Sequence, residues 1–114
     1  MNIPFNLAYA KDTPSKKDAA LALIPEGTDL NSVSADVKNQ VRALVLDDDL
    51  DFASAAWFLT RSQELTQTGC DQDIRDGLKA ATEAGWEDFI TKCVGTTVTD
   101  ERRAVYNAAL AALN

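Results

Sequence analysis

Four aspartates occupy the five positions from Asp47 to Asp51, and carboxylates at this density can bind a divalent cation. The first, third and fifth positions reproduce the D-x-D-x-D start of an EF-hand calcium loop. The rest of that loop is missing, because Phe52 replaces the required glycine and Phe58 replaces the bidentate glutamate. We therefore predict that Asp51 caps a helix starting at Phe52, and that the preceding aspartates form a turn. A carboxylate metal site is the alternative.

A second pair of carboxylates, Glu83 and Glu87, is spaced four residues apart, which places both on one face of a helix. Two carboxylates can hydrolyse a glycoside when one keeps its proton and the other lies ~5 or ~6.5–9.5 Å away. Trp86 between them could stack on a sugar ring, so these three residues are candidate contacts for a glycan or a partner. The alternative is a solvated face near Lys79 and Lys92, with the tryptophan in the core.

The chain contains no histidine, which removes the usual general base, the commonest metal ligand and every Ser-His or Cys-His nucleophile. Its net charge of −7 makes nucleic acid and anionic membrane surfaces poor partners. The sequence has no apolar run approaching the ~20 residues of a membrane span, and no cofactor motif. The first twelve residues lack a secretion signal, so we expect either a cytoplasmic protein or a mature chain without its leader.

Cys70 and Cys93 are the only cysteines, and two cysteines without histidine cannot complete a structural zinc site. Each lies at the edge of a predicted helix, so a disulfide between them is one expectation. On the chain-entropy model such a bridge stabilises the fold by ~3 kcal/mol, and it would indicate an oxidising compartment. Two reduced, buried thiols in a cytoplasmic protein are the alternative.

Apolar residues recur mostly at helical spacing, and we predict one all-α domain over residues 1–114, a compact bundle of about five to six helices. Residues 1–12 differ, because their apolar residues alternate, and we predict an extended arm there. The predicted helices span about 14–24, 34–45, 52–62, 71–81 and 82–93, and the last runs from Thr99 onward. Thr13, Ser34 and Thr99 are the predicted N-caps of the first, second and last of these helices.

The helix predicted from Phe52 is apolar on almost every side, which is typical of a central helix covered by its neighbours. We expect Trp57 to be buried at the centre of the bundle. Two other helices have apolar stripes on one face. These stripes are Val37, Val41, Leu44 and Val45 in the helix after Ser34, and Tyr106, Ala109, Leu110 and Leu113 in the last helix.

Two stretches together form a distinctive pattern, namely F-A-S-A-A-W-F-L-T (52–60) and C-D-Q-D-I-R-D-G-L-K-A-A-T-E-A-G-W-E-D-F-I-T-K-C-V-G-T-T-V-T-D-E-R-R-A-V-Y (70–106). An A-x-W-F helix follows an acidic turn, and a cysteine-bounded helical pair leads to a final helix with a tyrosine. This pattern, over about residues 47–113, resembles the C-terminal helical part of lysozyme-like and chitinase-like cell-wall glycoside hydrolases of fungal type.

The resemblance implies a lysozyme-like helical lobe, a β-1,4-linked amino-sugar polymer (chitin or peptidoglycan) as substrate, and a disulfide between Cys70 and Cys93. It also implies that Trp57 is a packing residue. Such enzymes place a general-acid glutamate on an earlier helix, followed by a G-R-G-x-x-Q-like segment. Residues 1–45 contain no such segment, and Glu26 lies in a predicted turn. The catalytic residues are therefore unknown.

Two functional hypotheses follow. The first is a small secreted helical domain that associates with cell-wall glycan and is inactive by itself if it forms only one lobe of a larger enzyme. The second is a non-enzymatic acidic interaction protein, such as an effector, inhibitor or adaptor, that binds a basic protein partner through one face of its bundle.

Overall fold

The computed structural model describes residues 2–114, and within these residues it contains seven α-helices and no strand. The all-α prediction is confirmed, and the number of helices exceeds the predicted five to six. The helices are α1 (Ile3–Asp12), α2 (Lys17–Leu23), α3 (Ala35–Ala43), α4 (Asp48–Thr66), α5 (Gln72–Lys79), α6 (Glu83–Asp88) and α7 (Asp100–Leu113). A 3₁₀ turn at Leu30–Ser32 precedes α3, and a π-helical segment at Phe89–Cys93 continues α6.

The chain divides into two compact units, residues 2–67 and residues 68–114. Unit 1 holds α1 to α4, and unit 2 holds α5 to α7 with the π-helical segment. One domain over residues 1–114 remains a prediction, because the compactness of each unit does not say whether the two unfold together. None of the helices between residues 2 and 114 combines the length and the apolar character that a membrane span requires.

The predicted N-terminal extended arm is wrong, because the chain there forms helix α1. The side chain of Asn2 caps this helix by accepting a backbone N–H three residues on, at 3.4 Å. Ile3, Leu7 and Ala10 are buried on one side of α1, and their spacing is helical. The apolar residues of this segment thus fit both the alternation of a strand and the spacing of a helix, and tertiary packing selects the helix. Met1, the first residue of the predicted arm, lies outside the described residues.

Helix α1 is the centre of unit 1, where it packs against α2, α3 and α4. Burying apolar side chains from α1 and from the three helices around it removes them from water, which is the main driving force for this packing. The predicted stripe on α3 is confirmed, since Val41 is buried and Val37 packs partly buried against the core. The buried core of unit 1 consists of Leu7, Tyr9, Ala10, Ala20, Ile24, Val41, Val45 and Trp57.

Helix α4 is less covered than its apolar sequence predicts. It begins at Asp48 rather than at Phe52, and it buries only Trp57 and Ser62. The Trp57 prediction is confirmed, but Phe52 is 83% exposed. Several of the other apolar positions of α4 are alanines, which leave a helix face without large side chains to be covered.

Helices α5 and α6 of unit 2 pack closely at two glycines, Gly77 and Gly85. A Cβ atom on Gly85 would lie only 2.5 Å from the carbonyl carbon of Gly77, so this crossing requires a residue without a side chain at position 85. Thr82 caps α6 by accepting the Gly85 N–H at 3.1 Å, which places Gly85 inside this helix. Cys70, before α5, and Cys93, at the end of the π-helical segment, form a disulfide.

Helix α7 buries much less than its sequence predicts. Tyr106 and Leu110 are half-buried, whereas Ala109 is exposed and Leu113 is 85% exposed. No residue of α7 is fully buried, because only one side of the helix packs within unit 2. An apolar surface of unit 2 is therefore left in contact with water.

Candidate functional site

The structure brings the three predicted contact residues, Glu83, Trp86 and Glu87, to one side chain of α7, Arg103. Arg103 Nη2 donates to Glu87 Oε1 at 2.7 Å, and Arg103 Nη1 forms an ion pair with Glu83 Oε1. The guanidinium carbon also lies 5.9 Å from the centroid of the Trp86 ring, which is within the range of a cation–π contact. One arginine thus joins α7 to the glutamates and the tryptophan of α6.

Sequence reasoning missed Arg103, because it looked for cations close to the glutamates in the chain. Lys79 pairs instead with Asp76 at 4.0 Å, and Lys92 pairs with Asp88 at 2.9 Å. Arg103 is 16 residues from Glu87, and a partner at that separation is apparent only after α6 and α7 pack together.

A groove of about 490 Å³ lies along the contact between the α6 segment and α7. One wall is a pair of aromatic rings, Trp86 and Tyr106, which are stacked with centroids 4.6 Å apart and an interplanar angle of 15°. The Tyr106 hydroxyl is buried and has no hydrogen-bond partner within residues 2–114. We call this space the α6–α7 groove. Its lining residues are Trp86, Ile90, Glu101, Arg102, Val105, Tyr106 and Ala109.

The charged end of the α6–α7 groove is formed by the first turn of α7. Thr99 caps this helix by accepting the Arg102 N–H at 3.3 Å, which confirms its predicted role. Hydrogen bonds from the Glu101 backbone N–H and from the Thr99 side chain lower the pKa of Glu101 below 4.5. Arg102 Nη1 donates to the Thr97 carbonyl at 2.7 Å. The Glu101 carboxylate and the Arg102 guanidinium are therefore both held beside the apolar, aromatic wall of the groove.

The two glutamates of α6 are both paired with the same guanidinium, that of Arg103. A glycosidase needs its two carboxylates directed at the glycosidic bond. The pair predicted from the sequence as candidate contacts thus belongs to an ion-pair network between α6 and α7.

The aspartate cluster in unit 1 lies at the start of α4, as predicted. However, Asp48 and Asp49 lie inside the helix rather than in a preceding turn, and Asp51 does not cap it. Asp47 occupies the N-cap position without a side-chain cap bond, and its carboxylate accepts from Lys16 Nζ at 2.8 Å. The remaining three aspartates lie in the first turn, where their charge complements the helix dipole. Across residues 2–114, no group of three or more Cys, Asp or Glu side chains comes together so as to hold a metal ion, which leaves the calcium alternative without geometric support.

Unit 1 contains a partly buried polar contact that the sequence did not reveal. Trp57 Nε1 donates to Asp12 Oδ2 at 2.9 Å, and Arg61 donates to both oxygens of the same carboxylate at 3.1 Å. The Arg61 hydrogen bonds are the largest cause lowering the pKa of Asp12 below 3.8; burial opposes them, and the Trp57 bond adds to them. The partners are 45 and 49 residues apart, so no local pattern identifies them.

Asp12 also lines a cleft of about 580 Å³ in unit 1. Its charged groups are already paired, since Lys11 Nζ lies 3.1 Å from Glu26 Oε1 and Asp12 is bound by Arg61. Among the described residues that line the cleft, none is aromatic. The α6–α7 groove therefore offers more to a ligand than this cleft, although the cleft is larger.

Comparisons of the chain with protein families, with curated proteins and with solved structures find no match. The resemblance to lysozyme-like hydrolases over about residues 47–113 therefore remains a prediction, and its functional implications are proposals.

Proposed function

We propose that this protein is a secreted, disulfide-bonded helical domain that binds a β-1,4-linked amino-sugar polymer, either chitin or peptidoglycan. The α6–α7 groove is the observation that carries this proposal, because it lies within the segment that resembles the hydrolases. The disulfide between Cys70 and Cys93 supports it further, since the same resemblance implies that bridge. A bridge also suits a protein that works outside the reducing cytosol.

The groove has the chemical character of a sugar site. Ligand pockets of about 300–1,000 Å³ combine apolar and aromatic walls with a few fixed polar groups, and the volume of about 490 Å³ falls in this range. The apolar C–H face of a pyranose ring can pack on the aromatic wall, while its hydroxyl and acetamido groups hydrogen-bond to Glu101 and Arg102. The unpaired hydroxyl of Tyr106 is a further group that a bound sugar satisfies after a small movement of the ring.

The proposed activity is binding without cleavage. The Arg103 network occupies Glu83 and Glu87, and residues 1–45 lack the glutamate segment of the hydrolases that the sequence resembles. In this proposal Arg103 acts indirectly, by holding α7 against α6 and so keeping the Trp86 wall of the groove in place.

The test is titration of the isotope-labelled protein with chitin oligomers and with peptidoglycan fragments, alongside an assay for new reducing ends. We expect shifts at Trp86 and Tyr106 and no new reducing ends. Tyr106→Phe keeps the stacked ring and removes only a buried, unpaired hydroxyl, so folding stability should be equal or higher while glycan affinity falls.

Tyr9→Phe is the matched control. It removes a hydroxyl that donates to the Leu50 carbonyl at 2.7 Å in unit 1, so it should lower stability by about 1 kcal/mol and leave glycan affinity unchanged. Absence of binding to both polymers would refute the glycan proposal. Equal losses of affinity in the two variants would place the binding site elsewhere.

The second candidate function is binding of a basic protein partner, and one observation in unit 1 favours it. Phe52, 83% exposed, sits directly beside Asp48, Asp49 and Asp51 at the start of α4. An exposed aromatic ring among carboxylates suits a partner segment that offers both cations and an apolar side chain. A synthetic amphipathic peptide rich in lysine and leucine should then bind more weakly to Phe52→Ser than to the native protein, and more weakly at high salt. Equal binding of the peptide by both proteins would refute this candidate.

A further inference from the structure

Helix α7 has an apolar face that nothing in unit 2 covers. Val105 is 71% exposed and Leu113 is 85% exposed, and Ala109 between them is also exposed. These residues are spaced four apart and therefore lie on one side of the helix. We call them the α7 face. Contiguous exposed apolar residues on a water-soluble surface commonly mark a site of association.

The charge pattern restricts what can cover the α7 face. Residues 104–114 contain no charged side chain, although the whole chain carries a net charge of −7. Glu101 and Arg102, about one turn before Val105, are the charged residues that line the groove beside this face, so a charged partner could pair with it only at that end. The occupant must therefore present an uncharged, apolar surface of similar length.

The order of residue sizes on the α7 face is self-complementary. When two α7 helices pack antiparallel around a two-fold axis at Ala109, each alanine lies against the alanine of the other copy. The larger Val105 of each copy then lies against Leu113 of the other, so large side chains meet at both ends and small ones at the centre. Such an arrangement is isologous, because the same surface serves both copies. The small central side chains allow the two helix axes to approach closely.

We propose that the α7 face binds the α7 face of a second copy of this chain, forming a symmetric antiparallel dimer. The fourteen residues of α7 extend about 21 Å, and a strip of that length and about 10 Å width covers about 200 Å², which is less than the ~800 Å² per partner of a standard interface. The association is therefore weak and reversible. It does not depend on the proposed glycan binding, although it covers Val105 and Ala109, which line the α6–α7 groove.

The test is sedimentation velocity of the native protein from about 10 µM to about 1 mM, a range suited to a weak complex. The weight-average sedimentation coefficient should rise with concentration. It should rise more at high salt, because screening reduces the repulsion between two acidic copies. That salt dependence is opposite to the one expected for a basic partner.

Ala109→Arg places like charges against each other at the two-fold axis and should weaken self-association by about tenfold or more. Ala104→Arg is the matched control, since Ala104 is exposed on another side of the same helix and should not alter association. A mixture of Ala109→Arg and Ala109→Glu should associate again, because position 109 then meets an opposite charge across the axis.

A protein that remains monomeric at every concentration would overturn the proposal and leave the α7 face to another apolar occupant. Equal effects of the two arginine variants, or no association in the mixture, would also overturn it. Equal effects of the two arginine variants would place the contact on another surface, and no association in the mixture would exclude a two-fold axis at Ala109.

Discussion

Gly85→Ala is the substitution that most directly tests the packing of unit 2. The added Cβ would lie 2.5 Å from the Gly77 carbonyl carbon and 3.0 Å from the Gly77 Cα. Carbon atoms normally pack at ~3.5–4.0 Å, so α5 and α6 must separate by about 1 Å. The Gly77 carbonyl oxygen is also in the way, and all three atoms belong to the backbone, which cannot rotate aside as a flexible side chain can.

The expected loss of stability combines two costs with one smaller gain. Overpacking of this kind costs about 1–3 kcal/mol and sometimes more. In addition, moving the helices apart by ~0.5–1 Å forfeits a quarter to a half of the dispersion energy of their contacts. Alanine is up to ~1 kcal/mol better than glycine inside a helix, and this gain only partly offsets the loss. We expect Gly85→Ala to lower the free energy of unfolding by about 2 kcal/mol, which corresponds to roughly 10 °C in Tm.

Gly77→Ala is the matched control on the opposite side of the same crossing. Its Cβ would lie 3.2 Å from the Gly85 Cα, with the next atom at 3.9 Å. A shift of a few tenths of an ångström relieves that contact, and the helical preference of alanine compensates for it. Its stability should therefore stay within about 1 kcal/mol of the native value.

Urea unfolding followed by far-UV circular dichroism, with the disulfide intact, measures both variants. If Gly85→Ala is as stable as the native protein, or if the two variants lose equal stability, the close approach of the two backbones at this crossing is refuted.

Four further variants test other parts of the fold. Asp12→Asn should flatten the acid dependence of stability. The pKa of Asp12 in the folded protein lies below 3.8, so its contribution to the unfolding free energy is present above pH 3.8 and is lost as the pH falls through the folded-state pKa. Unfolding measured over a range of acid pH checks this. Replacing Cys70 and Cys93 by serine should lower the unfolding free energy by about 3 kcal/mol, measured by urea unfolding against the intact protein. Phe52→Ala should change stability by less than about 0.5 kcal/mol, whereas Trp57→Ala should cost about 3–5 kcal/mol, and similar Tm values for the two would contradict their exposures.

Local signals predicted the starts of α3 and α7 well. Ser34 and Thr99 cap α3 and α7, as predicted, through hydrogen bonds of 3.3 Å to a backbone N–H. These bonds join residues three apart, so they depend on nearby sequence alone. Thr13 shows the limit of this reasoning. It was the predicted cap of the helix around residues 14–24, but it ends α1, and its hydroxyl donates to the Tyr9 carbonyl at 2.8 Å.

Long-range contacts could not be predicted in the same way. Arg103 and Asp12 organise the polar contacts of their units, yet their partners are 16 to 49 residues away. A charged residue in the sequence shows that it needs water or a partner, but it does not show which one. The exposure of α7 was missed for a related reason, because an apolar stripe predicts that a face is buried without identifying what buries it.

The covalent loop of unit 2 closes at Cys93, before α7 begins at Asp100. Helices α5 and α6 therefore lie inside a covalent loop, whereas α7 lies outside it and is held by side-chain contacts such as those of Arg103. We expect local stability within unit 2 to decrease from the cross-linked pair to α7, so that the backbone amides of α7 exchange with solvent before those of α5 and α6.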